Sequence, residues 1–436
     1  MARWLPPGGP DWLRSGFLRS VAVLVGGTVV GQAVLLLSYP ILTRLYAPEA
    51  WGEFGLFQTF VGLAVVTVAL RYEAAILSAP NRTVAAQLTL GSGAIALVLS
   101  VLAGGVCAGL ILYGVSGYQA LDLWVAPVAS FAVFVTAAYT MLRYWFITRE
   151  HHAVASTVYV IQNTARAGVQ AGLGLLASGT PGLIVGDTVG RAAGVLHLTT
   201  RAWRLMQPDL GFTWRDVLRC LQAHRKFPIY GLPSSVLDNT AQLLPLPLIV
   251  SAFGAEVGGL YLLVQRILAI PSALIGASIG DVFQSQFSLR WNADPASATR
   301  FFWTIAAGLL AVGLVPGVVL VGFGPALFDL IFGADWRVAG QMAAVLVPLS
   351  VAALVVSPLS RLVFVMHGQE YKLVYDVLAF GGIVLVFILQ AQRDLDVMAT
   401  LAWLSATQVL FYGVYVGMLR FMLQRRARDF RHPTPD

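Results

Sequence analysis

The chain has 436 residues, of which 58% are apolar and only 11% charged, with a mean hydropathy of +0.76. A soluble protein carries roughly 25% charged residues, so polar surface is too scarce here to cover soluble domains, and lipid must be the solvent. The formal net charge of +7 would suggest nucleic acid in a soluble chain, but the basic residues cluster in alternate loops between long apolar stretches, which excludes that partner.

Twelve such stretches run near 20–43, 53–71, 87–113, 121–147, 153–178, 181–202, 228–252, 256–286, 300–322, 338–365, 371–391 and 396–421. Each is long enough for a membrane span. The fold class this predicts is an all-α polytopic membrane protein with twelve transmembrane helices in two six-helix bundles. The bundles cover 1–202 and 228–423, a linker covers 203–227, and a basic tail covers 424–436. Arg3, Arg14 and Arg19 precede the first stretch, which is too long for a signal-peptide core and has no small-residue cleavage site after it. It is expected as a retained helix. Of the 28 Lys and Arg residues, 21 fall on the N-terminal side, 4 within spans, and 3 (Arg44, Arg337, Arg393) on the far side. The positive-inside rule then puts both termini in the cytoplasm.

The end of the first span and the start of the second return in the second half. Pro40 to Gln58 aligns with Pro247 to Gln265, 207 residues on, and five of the 19 positions are identical: Pro, Glu, Gly, Leu and Gln. Parallel repeats of six spans are an architecture of membrane transporters. Far-side loops are short, such as 178–181 and 253–256, which disfavours a glycan polymerase or ligase with an outer catalytic domain and leads to the expectation of a non-enzyme. In the linker, Val217, Leu218 and Leu221 alternate with charges at helical spacing, predicting an amphipathic helix. Cys107 and Cys220 fall in a span and in a basic-side loop, so no disulfide or metal cluster is indicated.

Charges inside spans are expensive and mark functional sites. Arg166 lies about 13 residues into the fifth span, Arg191 about 10 into the sixth and Arg266 about 10 into the eighth, near mid-depth at about 1.5 Å per residue. Asp187 and Asp238 reach similar depths. Asn163, Arg166 and Gln170 share a helix face by their i, i+3, i+7 spacing, Asp187 and Arg191 are spaced for a helical ion pair, and Gln32 lies in the first span. With three Arg against two Asp, a central cavity lined by these faces is expected to be cationic. Arg166, Arg266, Arg191, Asn163, Gln170 and Gln32 are the candidate substrate-binding residues, suited to a phosphate by the planar guanidinium fork. Asp238 and Asp187 are candidates for ion coupling. A structural alternative stays open, in which Asp187 and Arg191 merely pin the sixth span and Arg266 pairs with Asp238.

Several strings carry a family likeness: Arg44-Leu45-Tyr46-Ala47-Pro48-Glu49-Ala50-Trp51-Gly52, Leu70-Arg71-Tyr72-Glu73-Ala74-Ala75-Ile76, Phe227-Pro228-Ile229-Tyr230, Pro271-Ser272-Ala273-Leu274-Ile275-Gly276, Ile331-Phe332-Gly333-Ala334-Asp335-Trp336 and Ser357-Pro358-Leu359-Ser360-Arg361. In this order they resemble the Wzx-type oligosaccharide repeat-unit flippases, polysaccharide biosynthesis transporters of the multidrug/oligosaccharidyl-lipid/polysaccharide exporter (MOP) superfamily. The resemblance implies a MATE-like pair of bundles in a bacterial inner membrane. The implied cargo is an undecaprenyl-diphosphate-linked oligosaccharide moved by alternating access, for O-antigen (lipopolysaccharide), capsule or exopolysaccharide synthesis. It implies no cofactor beyond Na+ or H+ as coupling ion, and as partners the lipid-linked oligosaccharide, the bilayer and the polymerase and chain-length proteins of the pathway, around a monomer. Arg71, Glu73 and Arg44 are expected as gate or lock residues. The alternatives are a cation-coupled drug antiporter of the same superfamily, a membrane glycan polymerase or ligase, and a scaffold subunit without transport.

Overall fold

The computed structural model describes residues 17–149, 151–207, 211–272, 277–366 and 368–431. Among them are helices and turns and no strand. The chain forms two compact units that divide between Leu243 and Leu244, inside the stretch 228–252 expected as the seventh span.

The first unit contains α1 (Phe17–Leu45), α2 (Pro48–Val68), α3 (Tyr72–Leu77), α4 (Arg82–Leu112), α5 (Val125–Thr148), α6 (His152–Leu175), α7 (Thr180–Met206), α8 (Trp214–Ala223) and α9 (Leu232–Leu243). The second contains α10 (Pro245–Phe253), α11 (Ala255–Pro271), α12 (Ala277–Ala293), α13 (Pro295–Phe332), α14 (Arg337–Leu359), α15 (Leu362–Val365), α16 (Gln369–Arg393) and α17 (Val397–Arg431). Each of the twelve expected spans is occupied by one helix or by consecutive helices. The chain is therefore an all-helical, multi-pass membrane protein. Eight described helical segments are long and apolar enough to cross a bilayer by themselves. The helices α6 and α7 are not among them, because they carry the intramembrane polar residues; they pack against each other instead.

Local chemistry sets the helix ends. The Asn81 side chain accepts from the Val84 N–H at the start of α4, and that of Asp294 accepts from Ala296 and Ser297 at the start of α13. Proline, whose missing N–H costs nothing in a first turn, opens α2, α10 and α13. Gly254 and Gly333, at φ +89° and +109°, make turns that a β-carbon would strain.

The helix α2 is largely enclosed. Trp51, Phe54, Leu56 and Phe57 are all at most 2% exposed, and α2 packs on α4, α5, α7 and α9. By contrast α4 and α13 turn Val98, Val101, Leu102, Val315, Val318 and Phe323 outward, the apolar surface that a lipid-facing helix requires.

Part of the stretch 203–227 forms a helix, α8, within the first unit, and of the three apolar residues expected on its buried face Leu218 is 58% exposed. In α8 a capping box joins Thr213 to Asp216, and Val217, Cys220 and Leu221 are buried. Its apolar face lies on α4, where a β-carbon on Gly91 would stand 2.7 Å from Val217. The Tyr72 hydroxyl donates to the Leu221 carbonyl at 3.2 Å, fastening α8 to α3. The internal repeat corresponds to one local structure in each unit, helix, short turn, helix: α1–α2 around residues 46–47, and α10–α11 around Gly254.

Candidate functional site

The site grows from a stripe of glycines on α7. Gly182, Gly186, Gly190 and Gly194 recur every four residues, so they lie on one helix face. That face admits α6 closely: a β-carbon on Gly190 would sit 2.6 Å from the Arg166 Cβ and 2.8 Å from the Gln162 carbonyl oxygen. Gly186 faces Gln170, and Gly194 faces Gln162. Small residues let two membrane backbones approach in this way, and here the approach fixes the register of α6 on α7.

That register brings Arg166 to Asp187. Arg166 Nη1 lies 3.0 Å from Asp187 Oδ1, while Arg191, one turn along α7, donates from Nε to Asp187 Oδ2 at 2.7 Å. Gln58 of α2 donates to the same carboxylate at 3.3 Å, and Arg191 Nη1 donates to the Thr136 hydroxyl of α5 at 2.8 Å. The Arg166 guanidinium also stands 5.5 Å from the Phe54 ring centroid, within cation–π range. Three helices, α2, α6 and α7, thus meet at one carboxylate, and α5 joins them through Arg191. The Asp187 side chain is 0% exposed, whereas those of Arg166 and Arg191 are 13% and 24% exposed.

One carboxylate against two guanidinium groups leaves one positive charge in excess. Asp187 is the sealed counter-ion, and the two cations keep part of their surface open. A guanidinium carries five N–H donors, and Arg191 commits only Nε and one Nη1 hydrogen to Asp187 and Thr136. Two oriented guanidinium groups can receive an anionic oxygen in bidentate fashion. The i, i+4 pair of Asp187 and Arg191 forms as the spacing suggested; the Arg166 contact, Gln58 and Thr136 were not anticipated. The four-residue glycine spacing on α7 was the signal that could have found the α6 register.

The other candidates have different surroundings. Gln170 is 2% exposed and donates to the Leu183 carbonyl at 2.9 Å, while its own backbone carbonyl accepts from the Tyr46 hydroxyl at 2.6 Å. Asn163 is 6% exposed, with its Nδ2 beside Gly31 of α1. Gln32 donates to the Tyr159 hydroxyl at 2.9 Å. Gln170 and Gln32 therefore tie α6 to α7 and α1, whereas the buried Asn163 Nδ2 has no hydrogen-bond partner among the described residues. Arg266 lies half-buried on α11 in the second unit, one residue after Gln265, which donates to Tyr261. The side chain of Asp238 lies outside the described residues, and with it the expected Arg266–Asp238 pair.

Arg44 is exposed in the last turn of α1. Leu70 and Arg71 both hold left-handed backbone, at φ 49° and 59°, where α2 turns into α3. Arg71 reaches the Glu73 carboxylate at 3.3 Å and stays 40% exposed, while the Glu73 side chain is 10% exposed. Burial pushes the Glu73 carboxyl above its ordinary range, against the lowering effect of a backbone N–H and of Arg71.

No family model and no curated protein sequence matches the chain. Solved structures do. An inward-facing multidrug resistance MATE family transporter of the MOP superfamily is 13% identical at a TM-score of 0.59, over 93% of this chain and 96% of that one. A MOP superfamily transporter from Pyrococcus furiosus Vc1, whose structure is described by a reverse polarity of its binding pocket, is 12% identical at a TM-score of 0.53, over 96% and 99%. The eukaryotic MATE transporter AtDTX14 is 14% identical at a TM-score of 0.53, over 95% and 99%. At these identities the likeness defines the fold, which is that of the MATE transporters of the MOP superfamily.

Proposed function

We propose that this chain is a transporter that moves an undecaprenyl-diphosphate-linked oligosaccharide repeat unit across the bacterial inner membrane by alternating access. The observation that carries the reading is the Asp187 cluster, where two partly open guanidinium groups share one sealed carboxylate in a membrane helix bundle. Its excess positive charge suits a diphosphate. The head group cannot cross hydrocarbon unaided, whereas its polyprenyl tail can remain in lipid. On this reading Arg166 and Arg191 bind phosphate oxygens and Asp187 holds them in place. Arg266 is a separate candidate for an anion within the second unit, Asp238 is the candidate for Na+ or H+ coupling, and the Arg71–Glu73 pair serves as a gate.

A second reading, a cation-coupled antiporter for organic cations, is supported by the multidrug MATE transporters that share the fold. Reconstituted vesicles separate the two. On the first reading a polyprenyl-diphosphate oligosaccharide is translocated, an organic cation is not, and Arg166→Ala or Arg191→Ala lowers the rate on the order of 10- to 100-fold, as loss of a charged hydrogen bond of about 1.5–3 kcal/mol requires. Uptake of organic cation with no translocation of the lipid-linked sugar would reverse the assignment.

A further inference from the structure

The second unit holds a pocket of about 530 Å³ between the start of α13 and the end of α17, lined by Asp294, Thr299, Trp303, Arg420, Leu423 and Gln424 among others. Its depth follows from the sequence. Residues 397–419 of α17 contain no charge and Arg420 ends that run, while on α13 Arg300 is the last charge before the uncharged run 301–328. Both runs exceed the roughly 20 residues that cross hydrocarbon, so the pocket opens at head-group level. Trp303 stands there 42% exposed, as interfacial tryptophans do.

Arg420 and Asp294 line the same pocket without forming an ion pair. Arg420 makes no side-chain hydrogen bond or ion pair with any described residue, and the Asp294 carboxylate oxygens accept only from the Ala296 and Ser297 N–H groups of their own helix end. A carboxylate and a guanidinium that line one pocket without pairing can receive a zwitterion, with phosphate at Arg420 and ammonium at Asp294. Leu423 and Trp303 supply the apolar rim for the glycerol and the first acyl carbons. We infer that this pocket is a phospholipid site selective for phosphatidylethanolamine, whose primary ammonium can donate hydrogen bonds to Asp294.

Native mass spectrometry of the full chain in detergent tests it, with phosphatidylethanolamine, phosphatidylcholine and phosphatidylglycerol of matched acyl chains titrated in turn. Phosphatidylethanolamine is expected to be retained at least several-fold better than the other two. Arg420→Gln should lower retention of all three. Asp294→Asn, which keeps the helix cap because Asn caps as well as Asp, should leave phosphate binding in place and bring the preference for phosphatidylethanolamine down to parity. Arg337→Gln, exposed on another part of the unit, should change nothing. Equal retention of the three lipids by the unaltered protein, or an unchanged preference in Asp294→Asn, overturns the inference, and a preference for phosphatidylglycerol reassigns the pocket to anionic lipid.

Discussion

Replacing Asp187 by Asn keeps the volume of the side chain and removes its charge. In the folded chain that leaves Arg166 and Arg191, whose nitrogens lie 3.0 and 2.7 Å from its oxygens, as two neighbouring cations without their shared anion. Deleting one partner of a buried ion pair costs about 3–5 kcal/mol. Both guanidinium groups retain some exposure, so the lower end applies, about 3 kcal/mol, or roughly a hundredfold in the folding equilibrium. The assay is reversible unfolding in mixed micelles followed by tryptophan fluorescence. Removing a cation as well should restore part of the loss: Asp187→Asn with Arg166→Gln should be less destabilised than the sum of the single variants, with a coupling of about 0.5–3 kcal/mol. If Asp187→Asn unfolds within about 1 kcal/mol of the parent and the two changes simply add, Asp187 is not the anchor of this cluster, and the placement of the two arginines needs another cause.

Three further outcomes are expected. Gly190→Ala puts a methyl group against the Arg166 Cβ and the Gln162 carbonyl, neither of which can swing aside; overpacking of about 1–3 kcal/mol should lower the unfolding midpoint, whereas Gly172→Ala, facing open space on α6, should not. Glu73→Gln should stabilise the chain at neutral pH, because burial raises the folded-state affinity of Glu73 for its proton. The folded state then binds more protons than the unfolded one, stability is lost as pH rises from about 4.3, the unfolded value, through the higher folded-state value, and the advantage of the Gln variant should fade on acidification; an advantage that persists below pH 4 would contradict the assignment. Leu221→Asp places a charge where α8 meets α4, so amide exchange in residues 214–223 should accelerate while that of α7 stays slow.

The helices were legible in the sequence because spans are long and apolar, and the amphipathic linker helix was legible because its periodicity is strong. Within the site, the pairing of Asp187 with Arg191 was legible because one helix contains both. The contacts from Arg166, Gln58 and Thr136 were not, since each depends on how a separate helix is placed against α7. Gln170 and Asn163 show the same limit from the other direction. Spacing put them on the Arg166 face, but only the packing reveals that this face closes on α1 and α7. Polar residues in a span can serve a neighbour's backbone as readily as a ligand, and spacing alone does not distinguish them.

The α6–α7 register rests on four positions that lack a side chain, and this bears on how such a bundle drifts over evolutionary time. Glycine occupies 43 of the 436 positions, so any particular one adds little information to an alignment. Provided those four buried positions stay small and the charges beside them persist, the lipid-facing residues are free to exchange among apolar types. A scaffold specified in this way can keep its geometry long after its sequence has lost all detectable kinship.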